Sequence, residues 1–268
     1  DVQVNRDAGA LGAVITGVDL SKPLDEDTWR VIKRASTDHL VVCVRGQSHI
    51  SPEDQIAFAE QWGEIWTHPY VPSMDGYPPI MRVATMNSIT QTWHQDSTYA
   101  PEPPVFTMLM ARTIPPYGGD TMFANAYLAY DNLSKGLKAT LEGLSAVHVG
   151  TPAAAQAGLT IDDVTRVHPV VRVHPVTGRK SALLNSNYVR RFEGWTEAES
   201  APLLSYLFNV IGRFEYTYRH RWMPGDIIIW DNRCTSHAVI GDTGGAERIM
   251  HRITIIDPKD EGPAAVQA

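Results

Sequence analysis

The stretch from Gln91 to Pro104 carries His94 and Asp96, two residues apart. On an extended or turning backbone such residues point the same way, so an imidazole nitrogen and a carboxylate oxygen can converge on one cation. A His-x-Asp triplet arises often by chance and needs a third ligand from elsewhere. Trp230 to His237 has a similar density of polar groups behind an apolar run, and it offers His237. Two neutral imidazoles and one carboxylate on one face of a metal, with open positions opposite, form the ligand set of non-haem Fe(II) oxygenases. Zinc hydrolases use a similar set, so the ligands alone leave the metal open.

Downstream, Arg248 to Ile255 read with a period of two puts Arg248, Met250, Arg252 and Thr254 on one side, opposite Ile249, Ile253 and Ile255. An inward guanidinium needs an anion. Two of them four residues apart, behind a metal ligand, fit a site that grips carboxylates or sulfonates. Rim arginines in surface ion pairs are the plainer alternative.

The surrounding elements have to hold these groups. Asp25 to Asp38 has an acidic first turn and apolar Trp29, Ile32 and Ala35 at helical spacing, and Ser51-Pro52-Glu53-Asp54 caps a second helix that Gly63 closes. Leu40 to Val44, Ile80 to Ala84, Val105 to Arg112 and Ser181 to Leu184 read as strands, and Leu11 to Leu20 as two short ones. The Gly118-Gly119-Asp120 turn feeds Thr121 into another strand. Tyr127 to Gly143 reads as one helix, Thr196 to Glu199 caps another, and Phe214 to Trp222 alternates with Phe, Tyr, Tyr, His220 and Trp on one face. Residues 149–165, small, apolar and broken by Gly and Pro, suit a lid. His168 and His174 stand roughly 20 Å apart at strand rise, too far to share a metal, and read as structural.

At 268 residues and 43% hydrophobic, the chain can bury one large core, and a single domain over 1–268 is expected. A formal charge of -7 with no offsetting Lys/Arg run argues against a nucleic-acid or membrane-surface role. Cys43 and Cys234 are too few for a disulfide framework, and a reducing cytoplasm fits them. No run of 18 apolar residues is present. Many short strands with turn punctuation and a few covering helices indicate a mainly β fold, a double-stranded β-helix (jelly roll).

Leu11-Gly12-Ala13, Gly17 to Leu20, Trp93 to Asp96, Gly118 to Thr121, His168 to Pro175, Trp230 to Arg233 and Arg248 to Arg252 together resemble the taurine dioxygenase / 2,4-dichlorophenoxyacetate dioxygenase family of Fe(II)- and 2-oxoglutarate-dependent oxygenases, over nearly the whole chain. The resemblance implies Fe(II) held by His94, Asp96 and His237, with 2-oxoglutarate and O2 as co-substrates and Thr121 and Arg248 on the distal carboxylate. Arg252 and His68 match the grip on a small anionic organic substrate, and Ser97 and Tyr188 join them as expected contacts. The implied reaction hydroxylates an alkyl sulfonate or alkyl sulfate to an aldehyde and sulfite or sulfate, with an aryloxyalkanoate or other carboxylate as the alternative. A homo-oligomer, dimer or tetramer, is also expected. A jelly-roll ligand sensor would have lost ligands that are all present here. Three positions depart from the taurine pattern: Thr90 stands for an amine-contacting Asn, Val71 for a Tyr and Gly150 for a Phe. Together they read as room for a longer apolar tail.

Overall fold

Short apolar runs punctuated by turns become strands that close into two facing sheets. The computed structural model describes residues 2–68, 71–84, 91–150, 158–183 and 185–258. In chain order the strands are β1 (Gln3–Arg6), β2 (Ala13–Thr16), β3 (Val41–Val44), β4 (Gly63–Trp66), β5 (Met81–Ala84), β6 (Phe106–Thr113), β7 (Thr121–Asn125) and β8 (Ser145–Val149). They continue as β9 (Thr165–Pro169), β10 (Val171–Val173), β11 (Lys180–Ala182), β12 (Val189–Phe192), β13 (Thr217–His220), β14 (Ile227–Asp231), β15 (Thr235–Val239) and β16 (Ile249–Pro258). The major sheet runs β1-β2-β3-β14-β6-β16-β4 with β5 also on β16, and the minor sheet runs β13-β7-β15. Beside them lie a three-stranded sheet, β12-β8-β9, and the hairpin β10-β11. The whole is a double-stranded β-helix.

β14 explains why the centre reads as an unbroken apolar run. Ile227 and Ile229 pack on one face of the major sheet, with Phe106, Met108 and Ile255, while Ile228 and Trp230 pack on the other with Leu109, Phe123 and Met250. A strand covered on both faces has no polar side to alternate with. Each such side chain contributes about 1.5–3 kcal/mol by leaving water.

Helices α1 (Glu26–His39) and α2 (Pro52–Trp62) cover the outer face. Asp25 caps α1 by accepting from the Thr28 N–H, and Ser51 and Asp54 form a reciprocal capping box on α2. Ile32, Phe58 and Trp62 then reach the sheet, with Trp29, Phe58 and Trp62 meeting edge to face. This leaves the inner face to the site.

Several expectations need correction. The helix expected from Tyr127 to Gly143 is two, α3 (Ala126–Asp131) and α4 (Lys135–Glu142), because Ser134 starts a new N-cap by accepting from the Leu137 N–H. Leu11 to Leu20 contributes one strand, not two, and its partner is the polar β1, which lacks apolar periodicity. The alternation from Phe214 fails at its start: Phe214 sits in a 3-10 turn and is 93% exposed, whereas Tyr218, His220 and Trp222 point inward. Helix α5 (Glu197–Ile211) begins at Thr196 as read. Residues 151–157 of the expected lid, and Thr90, lie outside the described residues. No helix among the described residues is long and apolar enough to cross a membrane.

Candidate active site

His237 stands on β15 opposite Phe123 of β7. The His94 backbone extends that sheet by one residue pair, with His94 N–H donating to His237 O at 3.0 Å and His237 N–H to His94 O at 2.9 Å. This bridge sets the two imidazoles 4.1 Å apart between ring centres. Asp96 turns away toward the major sheet, where Thr107 of β6 donates to its Oδ2 at 2.6 Å and Asn232 Oδ1 accepts its N–H at 3.3 Å. The cluster therefore joins both sheets, and all three members are buried.

Among the described residues, three buried groups of His, Asp or Cys have potential ligand atoms within 4.8 Å of one another. In two of them the imidazole is hydrogen-bonded to the carboxylate: His220 to Asp226 at 3.1 Å and His174 to Asp231 at 2.9 Å. The His94 cluster is different. Its Nε2 atoms lie 3.9 Å (His94) and 3.6 Å (His237) from Asp96 Oδ1, beyond hydrogen-bonding range, so three lone-pair atoms converge without satisfying each other. Thr92 O can only accept, so His94 Nδ1, 2.9 Å away, carries the proton and Nε2 is left as the donor to a metal.

Protonation states agree with this. Burial lowers His94, and burial with the neighbouring His94 brings His237 down to about 3. Burial would raise the Asp96 carboxyl, but the Arg252 guanidinium, the two imidazoles and the Thr107 hydroxyl together more than offset this and keep it well below the ordinary carboxylate range. At neutral pH two neutral imidazoles face one carboxylate, the state a divalent cation requires.

Thr121 pairs with Val239, two residues along β15 from His237 and on the same face, which sets the two about 7 Å apart at strand rise. Arg248 is 2% exposed and donates from Nε to Gly119 O at 3.0 Å and from a terminal nitrogen to Thr121 Oγ1 at 3.4 Å. Burial pulls its guanidinium down to about 10, still cationic at neutral pH. No carboxylate pairs with it among the described residues, and Trp222 Nε1 completes the corner by donating to Thr121 Oγ1 at 3.0 Å. A buried cation, a hydroxyl and an indole together make a seat for one carboxylate. A separate cleft of ≈ 640 Å³, walled by Arg45, Arg219 and Arg221, backs onto Arg248 but includes none of the three candidate ligands.

Arg252 reaches the cluster itself, with a terminal nitrogen 3.0 Å from Asp96 Oδ1. His68 and Arg252 line a small cavity of ≈ 10 Å³ with Val71. Burial and Arg252 take His68 down to about 4, so it is neutral. The Val71 N–H donates to His68 Nδ1 at 3.2 Å, which leaves Nε2–H as a donor, 3.3 Å from Tyr99 Oη. Tyr188 stacks edge-on against Tyr99 at 5.0 Å, and Val164 and Leu159 complete an apolar patch around them. Ser97 is buried in this turn with a φ of 44°.

The reading of Gly150 as open space is overturned. A Cβ there would stand 2.8 Å from Val164 Cβ and 3.1 Å from Tyr99 Cδ2, so those side chains already fill the position. Sequence reading also missed Tyr99 and Asn185; the first is an aromatic three residues past Asp96, and the second lies in an aperiodic turn with no local signal.

The fold and the cluster define an Fe(II)- and 2-oxoglutarate-dependent dioxygenase. The family model described as "Taurine catabolism dioxygenase TauD, TfdA family" matches residues 4–254. An alkylsulfatase of Acinetobacter baylyi is 36% identical over 95% of this chain and 84% of its own length. An alpha-ketoglutarate-dependent sulfate ester dioxygenase of Pseudomonas putida is 35% identical over 95% and 89%. The crystal structure of a taurine dioxygenase from Burkholderia xenovorans superposes with a TM-score of 0.85 at 34% identity, covering 97% of this chain and 92% of that one. The chain belongs to the TauD/TfdA family, whose members use Fe(II), 2-oxoglutarate and O2.

Proposed function

We propose that this enzyme oxidises the carbon that bears the ester oxygen of an alkyl sulfate, with His94, Asp96 and His237 as iron ligands, Thr121 and Arg248 holding the distal carboxylate of 2-oxoglutarate, and Arg252 and His68 receiving the sulfate. The observation that carries the reading is the apolar patch of Tyr99, Tyr188, Val164 and Leu159 set directly against His68, Arg252 and Asp96. An ammonium tail such as taurine's would be desolvated there without a counter-charge. An alkyl tail would gain about 25 cal/mol per Å² buried. Relatives named alkylsulfatase and sulfate ester dioxygenase support the same choice.

Bound Fe(II) supplies the oxidation, in which one oxygen atom of O2 goes to succinate as CO2 leaves and the other enters the substrate C–H bond. The residues supply placement. Arg252 offers two-point hydrogen bonding to the anion, His68 adds its Nε2–H, and the paired tyrosines exclude water from the carbon being oxidised. The hydroxylated carbon then carries both OH and the sulfate oxygen; loss of the OH proton and cleavage of that C–O bond expel sulfate and leave an aldehyde. Two buried cysteine thiols fit a cytoplasmic setting.

The test is succinate release across medium-chain alkyl sulfates, alkyl sulfonates, taurine and aryloxyalkanoates. Medium-chain alkyl sulfates should have the highest kcat/KM. Taurine ahead by tenfold, about 1.4 kcal/mol of transition-state discrimination, would overturn the tail assignment.

A further inference from the structure

The turn that carries Asp96 is not relaxed on its own. Ser97 has φ 44°, and it and Leu40 are the non-glycine residues with positive φ among the described ones. Such a backbone persists in an ordinary residue only when its surroundings over-determine it. The next residue, Thr98, is gripped from three directions. Asn185 Nδ2 donates to Thr98 Oγ1 at 3.1 Å and to Gln95 O at 2.7 Å, spanning Asp96 and Ser97 from outside. His168 Nε2 donates to Thr98 O at 2.8 Å, and His148 Nδ1 lies 2.8 Å from Thr98 Oγ1.

Asn185 is fully buried and is itself aimed, since its Oδ1 accepts the Asn187 N–H at 3.1 Å. Upstream of the ligands, Ser186 Oγ donates to Trp93 O at 2.8 Å and Asn187 is bonded to Thr92. These groups come from β8, β9 and the turn before β12, so the side sheet holds the ligand loop against the jelly roll. None of them reaches the reacting groups.

We propose that Asn185 and His168 are positioning residues that hold the strained turn at Ser97 so that Asp96 presents Oδ1 at the point where His94 and His237 converge. This rests on the reading of those three as metal ligands. Partners bonded to a ligand commonly govern metal affinity by 10- to 100-fold, and Asn185 and His168 act on Asp96 through the backbone of its chain neighbours Gln95 and Thr98.

The experiment is calorimetric titration of the metal-free full chain with Mn(II), with thermal unfolding of the same samples. Asn185→Ala and His168→Leu should each weaken Mn(II) binding by about 10- to 100-fold while the metal-free protein still melts cooperatively near the wild-type temperature. His168→Gln, whose amide places a donor where Nε2 stood, should restore affinity. Ser97→Gly in the Asn185→Ala background should recover most of the loss, because glycine adopts this φ without strain. Wild-type affinity in both single variants overturns the proposal, as does a loss that neither His168→Gln nor Ser97→Gly moves. Should Asn185→Ala fail to fold, the His168 pair decides alone. The metal reading fails separately, if the wild type takes up no Mn(II) or if His94→Ala binds it as tightly as the wild type does.

Discussion

Arg252 donates at 3.0 Å to the same Asp96 oxygen that faces His94 Nε2 and His237 Nε2. One carboxylate oxygen thus lies between a guanidinium from β16 and the two imidazoles. Arg252 Nε is buried with no hydrogen-bond partner among the described residues, so the guanidinium has donor capacity beyond Asp96. An anion drawn to it stands next to the candidate metal position, which is where a substrate oxidised beside its own anionic group has to be.

Arg252→Gln should therefore raise KM for an alkyl sulfate by the cost of stripping one partner from a buried charge pair, about 2–5 kcal/mol, and leave 2-oxoglutarate affinity nearly unchanged. Steady-state kinetics with each substrate varied in turn checks this. Equal losses for both would mean that Arg252 acts on the ligand cluster as a whole.

At the carboxylate seat of the co-substrate the expectation is reversed. Arg248→Ala should weaken 2-oxoglutarate binding by about 2–5 kcal/mol, since the guanidinium is buried and has no carboxylate of its own among the described residues. Thr121→Val should cost less, because it removes one hydroxyl contact and leaves the charge. Anaerobic titration with Fe(II) present gives both affinities, and an unchanged value in Arg248→Ala would remove that residue from the co-substrate site.

Gly150→Ala tests the filled position. Val164 Cβ, 2.8 Å from the new methyl, is tied to its backbone and has no rotamer in which to yield, so the strain falls on the 162–164 turn and on Tyr99. Overpacking of this kind costs about 1–3 kcal/mol, and urea denaturation should register it. Turnover of long-chain substrates should fall more than that of short ones. No change in either would mean that Val164 and Tyr99 are loosely held.

Stability should also depend on pH with a definite sign. Burial, the largest influence on each, takes His237 and His148 down to about 3 and His68 and His251 down to about 4, from an ordinary 6.5. The unfolded chain binds these protons near pH 6.5 and the folded protein does not, so the unfolded state holds more protons between about 6.5 and 4. The unfolding free energy then falls as pH drops through that window, by up to about 1.4 kcal/mol per pH unit for each imidazole, and is flat above it as far as these groups go. Calorimetric Tm of the metal-free protein between pH 7.5 and about 4.5 checks the sign. A constant Tm would contradict the burial of these histidines.

The candidate ligands were legible because they need only two short segments, one His-x-Asp and one histidine behind an apolar strand, and the two arginines because a period-two reading of Arg248 to Ile255 places them on a common face. The core strands were legible for the same reason: β14 is apolar on both sides. Asn185, His148 and His168 were not, because their side chains act on Thr98 across 50 to 87 residues of chain, and no local pattern announces a long-range hydrogen bond. Gly150 was misread for a related reason. A glycine in a sequence is silent on whether its missing side chain leaves a hole or makes way for a neighbour, and here Tyr99 and Val164 occupy the place. The break at Ser134 was present in the sequence as a capping residue inside an otherwise helical pattern.

The reciprocal backbone bonds between His94 and His237 behave as a single latch. Two candidate ligands share one bridge, so a local opening that frees either amide displaces both imidazoles at once. Metal escape and deuterium uptake at these two amides then become the same event. Occupancy of the site should slow exchange at His94 and His237 together, by the factor with which the ion favours the closed latch, while the amides of the helix-covered strand β3 keep their pace.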